Sequence, residues 1–269
     1  MTAGSTKAHS AGGPAAAAPA QPELAEYLLR LGDDSLFLSQ RLIEWYALAP
    51  RLEDDIALLN VALDYLGHAR VLLSLAGERE GTGRDEDDLA YLRVQEEFVN
   101  SQLAELPNGD FGQTIARLAA VSVWHVALYG ACRASADAGL AAFAAKAAVE
   151  CRYHVQYAFT WLERLALGTE ESARRAQAGI DVVWPFVAEL FVADDLVVGL
   201  RQSGHAPDPR ALERQWRATL EPRLASLGLT SPPSWRPTAP GRDGLHLESF
   251  APMLAEMQYV HRAYPGASW

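Results

Sequence analysis

Long stretches of helical periodicity, broken by short polar or Pro/Gly stops and almost free of strand patterning, restrict this chain to an all-α fold. Over 23–48, Leu24, Tyr27, Leu28, Leu31, Leu38, Leu42 and Trp45 recur at three- and four-residue spacing, with Gly32 a weak point and Pro50 the stop. A second helix is expected to open on Glu53, Asp54 and Asp55, acids that suit the positive end of a helix dipole. It should run through Ile56, Leu59, Leu63, Leu66 and Leu73 to Gly77. After a polar loop over 81–88, the pattern predicts a shorter helix over 86–106, ended by the turn Pro107-Asn108-Gly109-Asp110. Further helices are expected over 111–136, 140–167 and 169–202, the last kinked at Pro185. Another starts near Asp208-Pro209, residues 227–245 read as a Pro/Gly-rich loop, and a last short helix covers 250–264.

The longest segments exceed 25 residues, or roughly 38 Å at 1.5 Å per residue. Two long helices, a connector and two more long helices match the way ferritin-like bundles join two antiparallel pairs by a crossover. The expected fold is a ferritin-like four-helix bundle core with additional C-terminal helices over 22–269, after an Ala/Gly/Pro-rich tail over 1–21 expected to be disordered. That tail lacks the basic start and Leu-rich stretch of a signal peptide, and no unbroken run of 18 apolar residues predicts a spanning helix. A net charge of −11 argues against nucleic acid and anionic membrane surfaces as partners. Cys132 and Cys151 fall within apolar helical runs, which suits buried, reduced thiols and a cytoplasmic setting. Trp45, Trp124, Trp161 and Trp184 read as core aromatics, and Gly-Leu-His-x-Glu at 244–248 reads as a polar surface contact.

A di-iron carboxylate bundle needs an inward Glu from each of two helices and a Glu-x-x-His from each of the other two, so that carboxylates balance the metal charge. Here the residues three before a histidine are Tyr65, Ser122, Cys151, Gln202 and Gln258, and the one acid, Asp243 before His246, lies in a loop. Two near misses exist, Asp64 with His68 and Glu150 with His154, each at i, i+4 and so on one helical face. Taken singly, each also fits a solvated face pair. Glu44 could face them from the first helix. The segment 111–136 contains no Asp or Glu, and Ser122 and His125 occupy its middle. Lys146, one turn before Glu150, would fill charge-balancing space if turned inward. Glu44, Asp64, His68, Ser122, His125, Lys146, Glu150 and His154 are therefore the candidate remnants of a metal site, with no catalytic residue and no cofactor expected in this chain.

The runs LRLGDDSLFLSQRLIEW (29–45), ALDYLGHAR (62–70), LPNGDFGQTIAR (106–117), WHVALY (124–129), ECRYH (150–154), AELFVADD (188–195) and PMLAEMQY (252–259) resemble the C subunits of bacterial ring-1,2-phenylacetyl-CoA epoxidases. The resemblance covers about 22–269. It implies a ferritin-like subunit of a multicomponent monooxygenase of aerobic phenylacetate degradation. It also implies a homologous A subunit that holds the di-iron site and a reductase that supplies electrons from NADPH through flavin and an iron–sulfur centre. The C subunit of that family is regarded as non-catalytic and supports the A subunit. The alternative from the residues alone is an active di-iron oxygenase, or a metal-binding bundle, in its own right.

Overall fold

The computed structural model describes residues 20–233 and 239–267. Two long helical hairpins make the core: α1 (Pro22–Ile43) with α2 (Leu52–Glu80), and α5 (Phe111–Cys132) with α6 (Ala138–Ala166). The crossover between them carries α3 (Glu86–Tyr91) and α4 (Gln102–Glu105). α7 (Glu170–Val187), α8 (Asp195–Gln202), α9 (Pro209–Ser226) and α10 (Phe250–Ala263) follow, and α7 and α9 pack on α5. No strand occurs among the described residues, so the fold is the all-α, ferritin-like bundle with C-terminal helices that the periodicity predicts. Of the expected tail, 1–19 lie outside the described residues; Gln21 already donates its backbone N–H to Arg79 O, and Pro22 opens α1.

Short acids and hydroxyls fix where helices begin. Asp110 accepts from Gln113 N at 2.9 Å, Asp137 from Leu140 N at 2.7 Å and Asp194 from Val197 N at 2.9 Å, each filling an N–H that the first turn leaves open. α5 is buried on nearly every face, because α6, α7 and α9 surround it. α7 crosses α5 at Gly179, where a Cβ would lie 2.7 Å from Gln113 Cα.

Two expected helices are broken. The segment 86–106 is not continuous: side chains from α1 take over its backbone hydrogen bonds. Asp33 accepts from Val99 N at 3.0 Å and Asp34 from Ser101 N at 2.6 Å, while Arg93, paired with Asp33, donates to the carbonyls of Leu89 and Glu97. The segment 169–202 passes through Pro185 and breaks later, after a 3₁₀ turn over Ala188–Phe191, where Asp194 starts a new helix. α1 also stops at Ile43, short of residue 48, and the chain turns through Ala47 at φ 61°.

Within 244–248, Leu245 and Glu248 are exposed as expected of a surface contact, but His246 turns inward and ties the segment to the core. His246 is fully buried against Glu105, Nδ1 to Oε2 at 2.7 Å, with Nε2 3.2 Å from Phe98 O. Arg242 reaches Asp34 at 2.7 Å, and Glu189 accepts from Gln102 N at 2.7 Å and Gly241 N at 2.8 Å. The C-terminal segment is thus sewn onto α1 and α4 by buried charge.

Averaged over a window, α2 and α5 are each long and apolar enough to cross a bilayer, although neither carries an unbroken apolar run of that length. In α5 that apolarity is internal, with 83% of the window buried. In α2 it is divided between two opposite faces. Leu58, Val61, Tyr65 and Leu72 enter the core, while Leu52, Ile56 and Leu63 are more than half exposed.

Candidate functional site

The candidate residues meet where α2 crosses α6. Asp64 and His68 lie one turn apart on α2, and Glu150 and His154 one turn apart on α6, so antiparallel packing sets the acid of each helix against the histidine of the other. His68 Nε2 lies 2.8 Å from Glu150 Oε2, and His154 Nε2 lies 2.9 Å from Asp64 Oδ2. The i, i+4 pairs legible in the sequence are therefore exchanged across the seam. The imidazoles are buried, with side chains 4% and 0% exposed, and the carboxylates sit at the rim, 26% and 36% exposed. The charge stays near water, and each imidazole commits its Nε2–H to a carboxylate. Nδ1 of both rings has no partner among the described residues.

Behind the seam lies a buried aromatic cluster. His125 of α5 is fully buried, stacks on Tyr129 with centroids 5.0 Å apart and planes 5° apart, and meets the Tyr65 hydroxyl at 3.3 Å through Nδ1. Tyr65 also lies against His154 at 5.0 Å, and His68 against Phe143 at 5.4 Å. Burial pushes His125 well below the ordinary imidazole range, with His68 and His154 adding to the effect. Burial likewise lowers His68 against the opposing pull of Glu150, and it raises the Tyr65 and Tyr129 hydroxyls well above the phenol range. The hydrogen bond from His154 holds Asp64 below the usual carboxylate range. Burial thus favours the neutral forms of His125, His68, Tyr65 and Tyr129.

Three of the predicted residues stand apart. Ser122 turns back into its own helix and donates to Leu118 O at 2.6 Å. Glu44 does not face the seam; its carboxylate is held at the end of α1 by Arg41 at 2.7 Å and Asn108 at 2.9 Å. Lys146 points outward, with its side chain 82% exposed and Nζ 3.5 Å from Glu150. It fills no interior space, because Glu150 itself reaches the rim. Tyr65, Tyr129 and Phe143, which build the wall of the cluster, escaped the sequence reading. Tyr65 and Tyr129 lie one helical turn from the flagged histidines His68 and His125, whereas Phe143, eleven residues before His154, carried no such signal.

These residues do not fit a di-iron centre. α5 brings His125 and Ser122 where a carboxylate is required, Glu44 is engaged elsewhere, and the two remaining acids are bonded to histidines. Two carboxylates leave most of the charge of two iron ions unbalanced in a buried site. Among the described residues, no group of three or more His, Cys, Asp or Glu side chains is placed to hold a metal ion. The thiols offer no substitute chemistry. Both are buried, and burial raises Cys132 to about 12 and Cys151 well above its ordinary value, which keeps them as thiols.

Residues 12–269 match the family described as "Phenylacetic acid catabolic protein". The chain belongs to this family. It is also 47% identical over 247 residues to the C subunit of the 1,2-phenylacetyl-CoA epoxidase of Escherichia coli (strain K12), covering 92% of this chain and 99% of that protein. This similarity fits the resemblance carried by the sequence runs, and it spans the seam, the broken crossover and the C-terminal tie alike. In this member of the family, the bundle-centre histidines His68 and His154 are bound to acids across helices.

Proposed function

We propose that this chain is a non-catalytic subunit of a 1,2-phenylacetyl-CoA epoxidase and that it pairs with and stabilises a homologous A subunit that holds the di-iron centre. The exchange of Asp64, His68, Glu150 and His154 across the α2–α6 seam carries the reading, because it commits to internal hydrogen bonds the groups that would otherwise bind metal. Redox chemistry then belongs to other subunits, with electrons delivered by a separate reductase. The outer face of α2 supports the pairing. Leu52, Ile56 and Leu63 form an apolar stripe, flanked by Val149 and Tyr153 of α6 and by a trough of about 440 Å³ between α2 and α3 lined by Leu66, Gly67 and Tyr91. Large apolar side chains exposed on one helix face in this way mark an interface. A stable pairing of homologous bundles should bury on the order of 2,000 Å² or more.

The test is to purify the chain alone and with the A subunit and to assign iron to each polypeptide. Iron should follow the A subunit, and this chain alone should give no oxygen-dependent turnover. Near two irons per copy of this chain, with turnover, would sink the proposal.

A further inference from the structure

A second surface lies on a different side of α6. Viewed down α6, Arg152, Val155, Gln156, Phe159 and Glu163 are displaced by about half a turn from the seam residues, at 100° per residue. With α9 they form the walls of an open trough of about 480 Å³ whose floor is Val123 and Val126 of α5. The trough is apolar along its bottom and polar along both rims, with Gln156 and Thr160 on one side and Gln215 and Thr219 on the other. Arg223 of α9 lies over Phe159 at 4.6 Å, and Arg152 sits two helical turns earlier on the opposite wall, roughly 10 Å along the axis. Both arginines are exposed, and with Glu163 in the same lining, two positive charges against one negative, the trough is locally positive by +1 in a chain of net charge −11.

An open trough of this shape leaves a small molecule largely in water, whereas ligand pockets enclose most of what they bind. It suits a helix laid in a groove, with apolar anchors down and charge along the rims. We propose that the α5–α6–α9 trough receives an acidic amphipathic helix of a further subunit of the same assembly, its apolar face on Val126 and Phe159 and carboxylates about two turns apart on Arg152 and Arg223. This rests on the multi-subunit reading above and names a contact separate from the α2 stripe. Opposite charge across the rims would speed association and set register.

The experiment is hydrogen exchange on the assembled complex and on the free chain, with affinity measured for wild type and Arg152→Glu/Arg223→Glu at two salt concentrations. Peptides over 152–163 and 215–223 should exchange more slowly in the complex. The double variant should keep its melting temperature and its pairing with the A subunit while binding the further subunit at least tenfold more weakly. Wild-type binding of that subunit should weaken as salt rises. Equal exchange of these peptides in a complex that does assemble, or less than twofold change in the variant, overturns this contact and leaves the α2 pairing standing. A chain that joins no other subunit overturns both.

Discussion

Lys146 and Glu150 show how solvent decides the value of a charge pair. Their separation of 3.5 Å would matter in a dry core, but Lys146 is 82% exposed, and an exposed pair contributes little. Lys146→Ala should therefore change stability by less than about 0.5 kcal/mol in urea unfolding; a loss of several kcal/mol would place the ammonium inside. The imidazoles are the opposite case. His68 and His125 are harder to protonate in the folded chain than at the ordinary 6.5, so the unfolded chain takes up their protons first as pH falls. Their contribution is intact above pH 6.5 and is lost as the pH drops below it, by up to about 1.4 kcal/mol per pH unit for each group. Asp64, lowered from 3.8, adds a loss of the same sign at more acid pH. Glu189, raised by burial to about 7, acts in the other direction, since its native state keeps a proton between about 4.5 and 7 and loses stability as pH rises through that window. Melting temperatures at pH 7.5 and 5.5 for wild type and His125→Gln separate these terms. The variant should lose less on acidification, whereas an unchanged difference would mean that His125 titrates as it does in water.

Helices α5 and α7 touch at backbone distance, and glycine is what allows it. Gly179→Ala would set a Cβ 2.7 to 2.9 Å from Gln113 and Gly112 backbone atoms, which have no side-chain freedom to yield. A cost of about 1–3 kcal/mol is expected from overpacking. Gly67, mid-helix in α2 with nothing within 4 Å of its Cβ position, is the contrasting site. There Gly67→Ala should stabilise by about 0.5–1 kcal/mol through helix propensity alone, read from the urea midpoint. Periodicity revealed the long helices because each has a core-facing stripe of its own. It could not reveal the break within 86–106, since the groups that capture that backbone, Asp33 and Asp34, lie 66 and 67 residues upstream on α1. The same holds for the seam. An i, i+4 spacing states that Asp64 and His68 share a face, but only the antiparallel crossing of α2 and α6 decides that His68 answers to Glu150. Lys146 is ambiguous in the sequence for a related reason: Glu150 lies at the edge between core and solvent, so a neighbour one turn away can point either way.

At the scale of the molecule, α2 is the unusual element, because it is apolar toward the core and again toward solvent. An isolated globular chain gains nothing by exposing Leu52, Ile56 and Leu63 on one stripe, and such a surface invites association. The buried charges on the far side of α1, where Asp33, Asp34, Arg93 and Arg242 tie the crossover and the C-terminal segment together, make the body rigid behind that stripe. A pre-organised face loses less ordering entropy on docking. Leu63→Glu tests this division of labour. Leu63 is 59% exposed and its side chain supports little of the core, so the free chain should unfold within about 0.5 kcal/mol of wild type. In the pair the same carboxylate would be buried against apolar surface without a partner, which costs several kcal/mol and should weaken binding of the A subunit by a hundredfold or more on the scale of about 1.4 kcal/mol per tenfold. Size-exclusion chromatography of the mixed subunits reads the outcome directly, as separate peaks where wild type gives one. Co-elution of the variant at wild-type affinity would move the pairing surface off α2 altogether.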